Sequence, residues 1–518
     1  MSIVHEIAGG AVAPSLPLLA GSPSRVVAWR DGQAVTAGQF LAHVQQVAAT
    51  LPDAIAAVNL CEDRYAFLVA FAALVLRGQV NLLPPSRAPH AVDEVMANHP
   101  GSYAIGELAL VPAPEGYLQM PAFVETLPAF GELPRIAADA VVAIGYTSGS
   151  TGKPKPNVKT WGSFVASNAG NARMLQGVIG ERFHSVATVP PQHMYGMEMS
   201  VLMPLLSEVG IHAGRPFFPA DVATALASLP EPRVLVTTPV HLRALVESGV
   251  VLPPLAAFVS ATAPMPVELA AAAEERFSAP VREVFGSTET CVFASRRTST
   301  DVDWALYDGV VLHPQPDGTL VDAPQLAEPI ALADIVTLHD EGRRFRLCGR
   351  NTDLLEIAGK RASLGDLNRR LLAIDGVRDG VLFQLDEADA SGIRRIAGLV
   401  VAPGLTEQHV LNALRSAMDP VFLPRPLRLV AELPRNETGK LPRGELLAML
   451  RAPTRPGHSG ADALPRSGMT RTPRLECAIP GPESHHESPR HRQRRSRTRA
   501  GLEDRAIVAR GGRHRGPG

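Results

Sequence analysis

The sequence predicts an α/β protein: a large N-terminal domain of layered α/β sheets, then a small α+β C-terminal domain. Three observations predict it. From about residue 20 to 350, short apolar runs alternate with Ala/Leu-rich helical stretches, as in largely parallel sheets covered by helices. From about residue 353 to 450 the runs lengthen and the helices become amphipathic. Beyond residue 452 the composition shifts to Arg, Pro, Gly, Ser and His. The chain has 518 residues and is 46% hydrophobic, enough for sizeable cores.

The elements follow in order. The start, "MSIVHEIAGGAVAPSLPLLAG", has no basic region of the kind that opens a signal peptide. The longest apolar run, "YAFLVAFAALVL" at 65–76, is shorter than the roughly 20 residues a bilayer span needs. Arg77 and Gly78 follow it, so it reads as a buried helix with a C-terminal stop. "SVATVP", "RVLVTT", "AAFVS" and "VREVF" read as strands, with the helix "ELAAAAEERF" between the last two. In the smaller domain "SLGDLNRRLLAI" is an amphipathic helix and "RRIAGLVVAP" a strand. "TEQHVLNALRSAM" is a second helix capped by Thr406. The tail at 453–518 is Arg-rich without a single Lys, and its composition predicts disorder. Its alternative reading is a basic arm for nucleic acid; a frame-shifted extension of GC-rich DNA would look the same.

The formal net charge of -1 implies no nucleic-acid or membrane partner for the chain as a whole. Four widely spaced cysteines (Cys61, Cys291, Cys348, Cys477) form no CxxC pair. They fit a reducing cytoplasm and argue against a disulfide scaffold or a zinc cluster.

The string "YTSGSTGKPKPNVKT" at 146–160 follows the strand-like "AVVAIG" and is too polar and Gly-rich to be core. A Walker A loop fails: the first Gly would fall on Thr147 and the Ser/Thr on Pro154, which resists a helix. A plain surface loop leaves its ordered hydroxyls, glycines and lysines unexplained. The string resembles the signature of the adenylate-forming superfamily, which includes acyl- and aryl-CoA synthetases, peptide-synthetase adenylation domains and luciferases. The resemblance implies that Thr147, Ser148, Gly149, Ser150, Thr151, Gly152, Lys153 and Lys155 wrap the ATP phosphates.

Further segments of the family appear in order. "PPQHMYGME" places His193 near the acyl pocket. "SATAP" places Ser260 at the adenine-flanking turn, with the usual Gly-Gly replaced. "VFGSTET" puts Thr288 at the α-phosphate and Glu289 on Mg²⁺, a hard cation that prefers oxygen. "LADIVTLHDEGRRFRLCGR" supplies Asp334 and Arg350 for the ribose hydroxyls. "LPRNETGKLPR" supplies Lys440, the C-terminal catalytic lysine. The family would then divide this chain into 1–350, a hinge at 351–353, and a mobile catalytic lid at 354–452. There are departures. Thr352 stands at the hinge where Asp or Lys is usual, with Asp353 next. The family's G-E-L…G-Y segment between Glu289 and Asp334 is not visible, so that stretch looks trimmed.

The resemblance implies ATP-dependent activation of a small aryl or acyl carboxylic acid, followed by transfer to a thiol. That thiol belongs to coenzyme A or to the phosphopantetheine of an acyl carrier protein. The compact core and the "PPQHMYG" wording are similar to the AMP-ligases of aryl-polyene and xanthomonadin-type pigment clusters. The competing readings are an inactive binding protein of the same fold and a nucleic-acid binder acting through its tail. Neither the acid nor the oligomeric state is legible.

Overall fold

Parallel strands buried on both faces must be apolar along their whole length, and the short Val/Ala/Leu runs of the first 300 residues are of that kind. In the computed structural model the described residues are 14–124, 132–148, 154–316, 318–350, 354–357, 360–388, 394–436 and 439–452. They lie within one compact unit.

Two sheets carry the larger part. The first has six strands, in the order Pro154–Thr160, Val141–Ser148, Val80–Leu83, Ala56–Asn59, Tyr103–Gly106 and Leu118–Gln119. Only its first pair is antiparallel. The second has eleven strands. Its centre is a parallel run: Val281–Ser287, Ala257–Ser260, Arg233–Thr237, Phe183–Ala187, Val209–His212 and Val26–Arg30. Antiparallel strands flank both ends of that run, as far as Gln33–Thr36 on one side and Asp334–His339 on the other. The strands read from sequence at 185–190, 233–238, 256–260 and 281–285 all belong to it.

The apolar run at 65–76 lies in the helix Arg64–Leu76, which packs against strands of both sheets. Every side chain from Arg64 to Val75 is buried, so the helix has no polar face to show. Asp63 caps it by accepting from the Ala66 N–H at 2.8 Å. Arg64 is tolerated there because its guanidinium donates to the Ala187 and Val189 carbonyls at 2.9 and 2.7 Å and to the Ser200 hydroxyl. No helix among the described residues is long and apolar enough to cross a membrane.

Between Glu289 and Asp334 stands a three-stranded sheet, Val311–Gln315, Gly318–Asp322 and Ile330–Leu332. The C-terminal portion pairs Leu354–Ile357 with Lys360–Ser363. It also builds a sheet of Asp379–Ala388, Arg394–Val401 and Leu427–Leu429. The helices Leu364–Leu372, Glu407–Ala417 and Arg443–Arg451 accompany it. Thr406 caps the second of these, as its sequence predicts, accepting from His409 N–H at 3.2 Å. Among the described residues, the apolar clusters draw either on residues 16–347 or on residues 355–450, never on both.

The polar string at 146–160 differs from its sequence reading. Much of it is strand: Val141–Ser148 and Pro154–Thr160 form an antiparallel hairpin with Ser148 opposite Pro154. The second strand is at the sheet edge, where Pro154 and Pro156 cost no ladder hydrogen bond on the open side. Nor is the string wholly outside the core, because Lys159 is buried. Of the expected phosphate loop, residues 149–153 fall outside the described residues, as do the hinge 351–353 and the tail 453–518.

Candidate active site

Ligands of open α/β sheets bind beyond the carboxyl ends of the parallel strands. Four segments leave the eleven-stranded sheet at that edge. The "PPQHMYGME" segment follows Phe183–Ala187, Val240 follows Arg233–Thr237, "SATAP" follows Ala257–Ser260, and "GSTET" ends Val281–Ser287. Three of these strands are immediate neighbours of Arg233–Thr237 or of each other. Segments about a hundred residues apart in sequence therefore meet along one edge.

The phosphate hairpin reaches the same edge from the other sheet. A methyl group on Gly145 would lie 3.0 Å from Thr288 Cγ2 and 3.3 Å from Met194 Cε, so glycine lets the three segments touch. Asn157 Nδ2 donates to the Gly145 carbonyl at 3.3 Å. Lys159 Nζ donates to the Glu289 carbonyl at 2.7 Å. Thr147 and Lys155 are cross-strand partners in this hairpin, and Lys155 is exposed.

The turn 287–290 is closed by reciprocal bonds. Ser287 N–H donates to Thr290 Oγ1 at 3.1 Å, and Thr290 N–H to Ser287 Oγ at 3.3 Å. Gly286 is required just before it: a Cβ there would sit 2.1 Å from the Cys291 carbonyl oxygen. Cys291 itself has φ 59, uncommon for a residue with a side chain. Thr288 and Glu289 are half-buried on this turn.

Beneath the turn lies a buried polar cluster that sequence reading missed. Glu198, 1% exposed, begins a π-helical turn, Glu198–Leu202. Such turns often mark functional positions. Its carboxylate accepts from Val292 N–H at 3.0 and 3.1 Å, from Asn171 Nδ2 at 3.1 Å and from Ser167 Oγ. Burial raises its pKa, while the donors and the Lys159 charge pull the other way. The only sequence signal was a charged residue inside an apolar helical run, "HMYGMEMSVLMPLL".

His193 is half-buried and precedes the helical turn Met194–Met197. Tyr195 from that turn donates to the Val259 carbonyl at 2.8 Å, next to Ser260. Ser260 is fully buried, yet its Oγ has no hydrogen-bond partner in the protein, nor has Thr262 Oγ1. Asp334 and Arg350 are cross-strand partners. Two strands, Trp304–Leu306 and Cys291–Arg297, separate Arg344–Arg350 from Val281–Ser287. The Arg350 and Ser148 side chains lie outside what is described.

Lys440 is exposed, on a loop tied by Asn436 N–H to the Lys440 carbonyl and by Lys440 N–H to Asn436 Oδ1, both at 2.9 Å. Arg435 grips Asp379 with two bonds of 2.9 and 2.7 Å and donates to the Gly439 carbonyl at 2.7 Å. A Cβ on Gly439 would lie 3.3 Å from Val240 Cγ2, so this loop meets the large part at the sheet edge just described.

The donor set fits a nucleotide with its metal. Orphaned hydroxyls at Ser260 and Thr262 suit polar groups of an adenosine, and Glu289 offers the oxygen a hard cation takes. Among the described residues no three His, Cys, Asp or Glu side chains gather. Mg²⁺ carried by phosphates needs only one or two protein carboxylates.

The chain is similar to several CoA ligases. The 4-coumarate–CoA ligase of Halorhodospira halophila is 28% identical over 311 residues, 57% of this chain and 73% of that protein. The 3-hydroxybenzoate–CoA/4-hydroxybenzoate–CoA ligase of Thauera aromatica is 24% identical over 360 residues, 61% of this chain and 68% of the other. The O-succinylbenzoate coenzyme A synthetase of Bacillus subtilis, solved with ATP and magnesium ion, superposes with a TM-score of 0.68. It is 18% identical, covering 82% of this chain and 97% of its own. The family described as AMP-binding enzyme matches residues 19–327. The chain belongs to that AMP-binding family, and it is an AMP-forming acid–thiol ligase.

Proposed function

We propose that the enzyme activates a small aryl carboxylic acid as its adenylate and passes the acyl group to a thiol. The observation that carries this is the meeting of Gly145, Met194 and Thr288 at the carboxyl edge of the parallel strands. Relatives that act on coumarate, hydroxybenzoate and succinylbenzoate favour an aromatic acid. The likeness of "PPQHMYG" to the ligases of aryl-polyene pigment clusters puts aryl and aryl-polyene acids first.

In the first step a carboxylate oxygen bonds to the α-phosphorus of ATP, the bond from that phosphorus to the bridging oxygen breaks, and pyrophosphate leaves with the electron pair. In the second a thiolate bonds to the acyl carbon and AMP leaves. The negative charge that grows on the phosphorus must be neutralised. Lys440 meets the acid and the α-phosphate, Thr288 donates to the α-phosphate, and the loop 147–155 cradles the leaving pyrophosphate. Asp334 and Arg350 hold the ribose, Ser260 flanks the adenine, and His193 borders the acyl pocket. Glu289 would hold Mg²⁺, which when bound would supply positive charge that offsets that of the phosphates. The 354–452 portion swings about 351–353 between the steps, since the thiol needs the space that Lys440 fills.

Pyrophosphate exchange over a panel of aryl, short-chain and long-chain acids tests this. Transfer to coenzyme A and to a phosphopantetheinylated carrier protein then identifies the acceptor. Exchange with aliphatic acids alone would overturn the aryl assignment.

A further inference from the structure

We propose that Lys159 and Glu198 are positioning residues that fix the turn 287–290, so that Thr288 and Glu289 face the nucleotide. The inference rests on that turn being the phosphate and Mg²⁺ side of the site. Lys159 is 5% exposed although its neighbour Val158 is 54% exposed, so its side chain turns inward from an edge strand. Its ammonium donates to the carbonyl of Glu289, the residue whose side chain meets the metal. Glu198 accepts the N–H of Val292 with both oxygens and lies near enough to Lys159 for their charges to attract. The two charged groups thus hold both ends of residues 289–292.

Between them Cys291 is held at φ 59, a left-handed conformation that an L-residue seldom takes and that persists where its surroundings impose it. Ser167 and Asn171 complete the carboxylate's partners, and Tyr307 donates to Asn171 Oδ1 at 3.1 Å. Buried charges seldom stabilise a fold more than apolar residues of the same volume would. What they supply here is a set geometry for a strained turn. Because Lys159 shares a strand with Lys155, its bond to the Glu289 carbonyl ties the phosphate hairpin to the acidic turn.

The test uses full-length Lys159→Met, Lys159→Arg, Glu198→Gln and the Lys159→Met/Glu198→Gln double variant. Calorimetry gives Kd for ATP with Mg²⁺ and for ATP in EDTA; pyrophosphate exchange gives KM and kcat; melting curves report folding. Lys159→Met is expected to weaken Mg-ATP about 10-fold, as loss of a metal ligand's supporting contact does, and to change metal-free ATP by less than about 2-fold. Lys159→Arg restores most of the loss, and the double variant is no worse than the worse single one. Mg-ATP binding at the wild-type level in Lys159→Met, or equal loss with and without metal, would overturn the proposal. If Lys159→Met does not fold, Glu198→Gln decides by the same comparison. A wild-type enzyme that fails to bind Mg-ATP would instead overturn the site reading itself.

Discussion

A single methyl group probes how tightly the site is drawn together. Gly145→Ala would press on Thr288 and Met194 at 3.0 and 3.3 Å. It should cost about 1–2 kcal/mol of stability through overpacking and raise KM for ATP, as melting curves and exchange kinetics would show. At Lys440 the effect is on rate. Lys440→Ala should lower pyrophosphate exchange about 100- to 1000-fold while ATP still binds, because one cation is lost where charge develops. Exchange near the wild-type rate would remove Lys440 from its role. Ordered strings brought Thr288, Glu289 and Lys440 forward as candidates, and the structure sets Thr288 beside Gly145 and the loop of Lys440 beside Val240. Lys159 and Glu198 were missed: Lys159 sits in a polar string, and the apolar run around Glu198 hints at burial without naming its partners. Only the fold shows Glu198, on its helical turn, meeting the N–H of Val292 on a strand of the eleven-stranded sheet.

Elements came through by the length of their apolar runs and by what bounds them. The helix Arg64–Leu76 ends at Arg77 and Gly78, and the short runs of the parallel strands are separated by turn and helix segments. Val141–Ser148 was legible through its apolar start, but its partner Pro154–Thr160 was not, since its prolines and lysines read as loop and only the edge position excuses them. The loop that carries Lys440 is held by a side-chain pair distant in sequence, Arg435 and Asp379. Asp379→Ala frees Arg435 from its two-pronged grip, so the Gly439 carbonyl loses a fixed donor. Adenylation should fall about 10- to 100-fold from misplacement of the lysine, with nucleotide affinity retained. Calorimetry beside exchange kinetics separates the two; unchanged kcat would mean the loop holds its shape without the pair.

At the scale of the whole molecule, five histidines among the described residues share one sign. His43, His99, His184, His212 and His241 all have pKa values lowered chiefly by burial, His241 to about 4. A lowered histidine binds its proton later in the folded chain than in the unfolded one. Its contribution to stability is full above about 6.5 and is lost as pH falls toward the folded value. The melting temperature should therefore fall between pH 7 and pH 5. His241→Gln should flatten that fall, since its amide can still bond Thr188, which now lies 2.8 Å from Nδ1. An unaltered slope in the variant would assign the acid sensitivity elsewhere. The division of the apolar clusters, one set below residue 348 and the other above 354, has an evolutionary consequence. A genetic crossover between those positions would splice two relatives without cutting through either set. Each half keeps its own interior, so recombination there can trade the portion bearing Lys440 while the portion matched by the AMP-binding family is inherited whole.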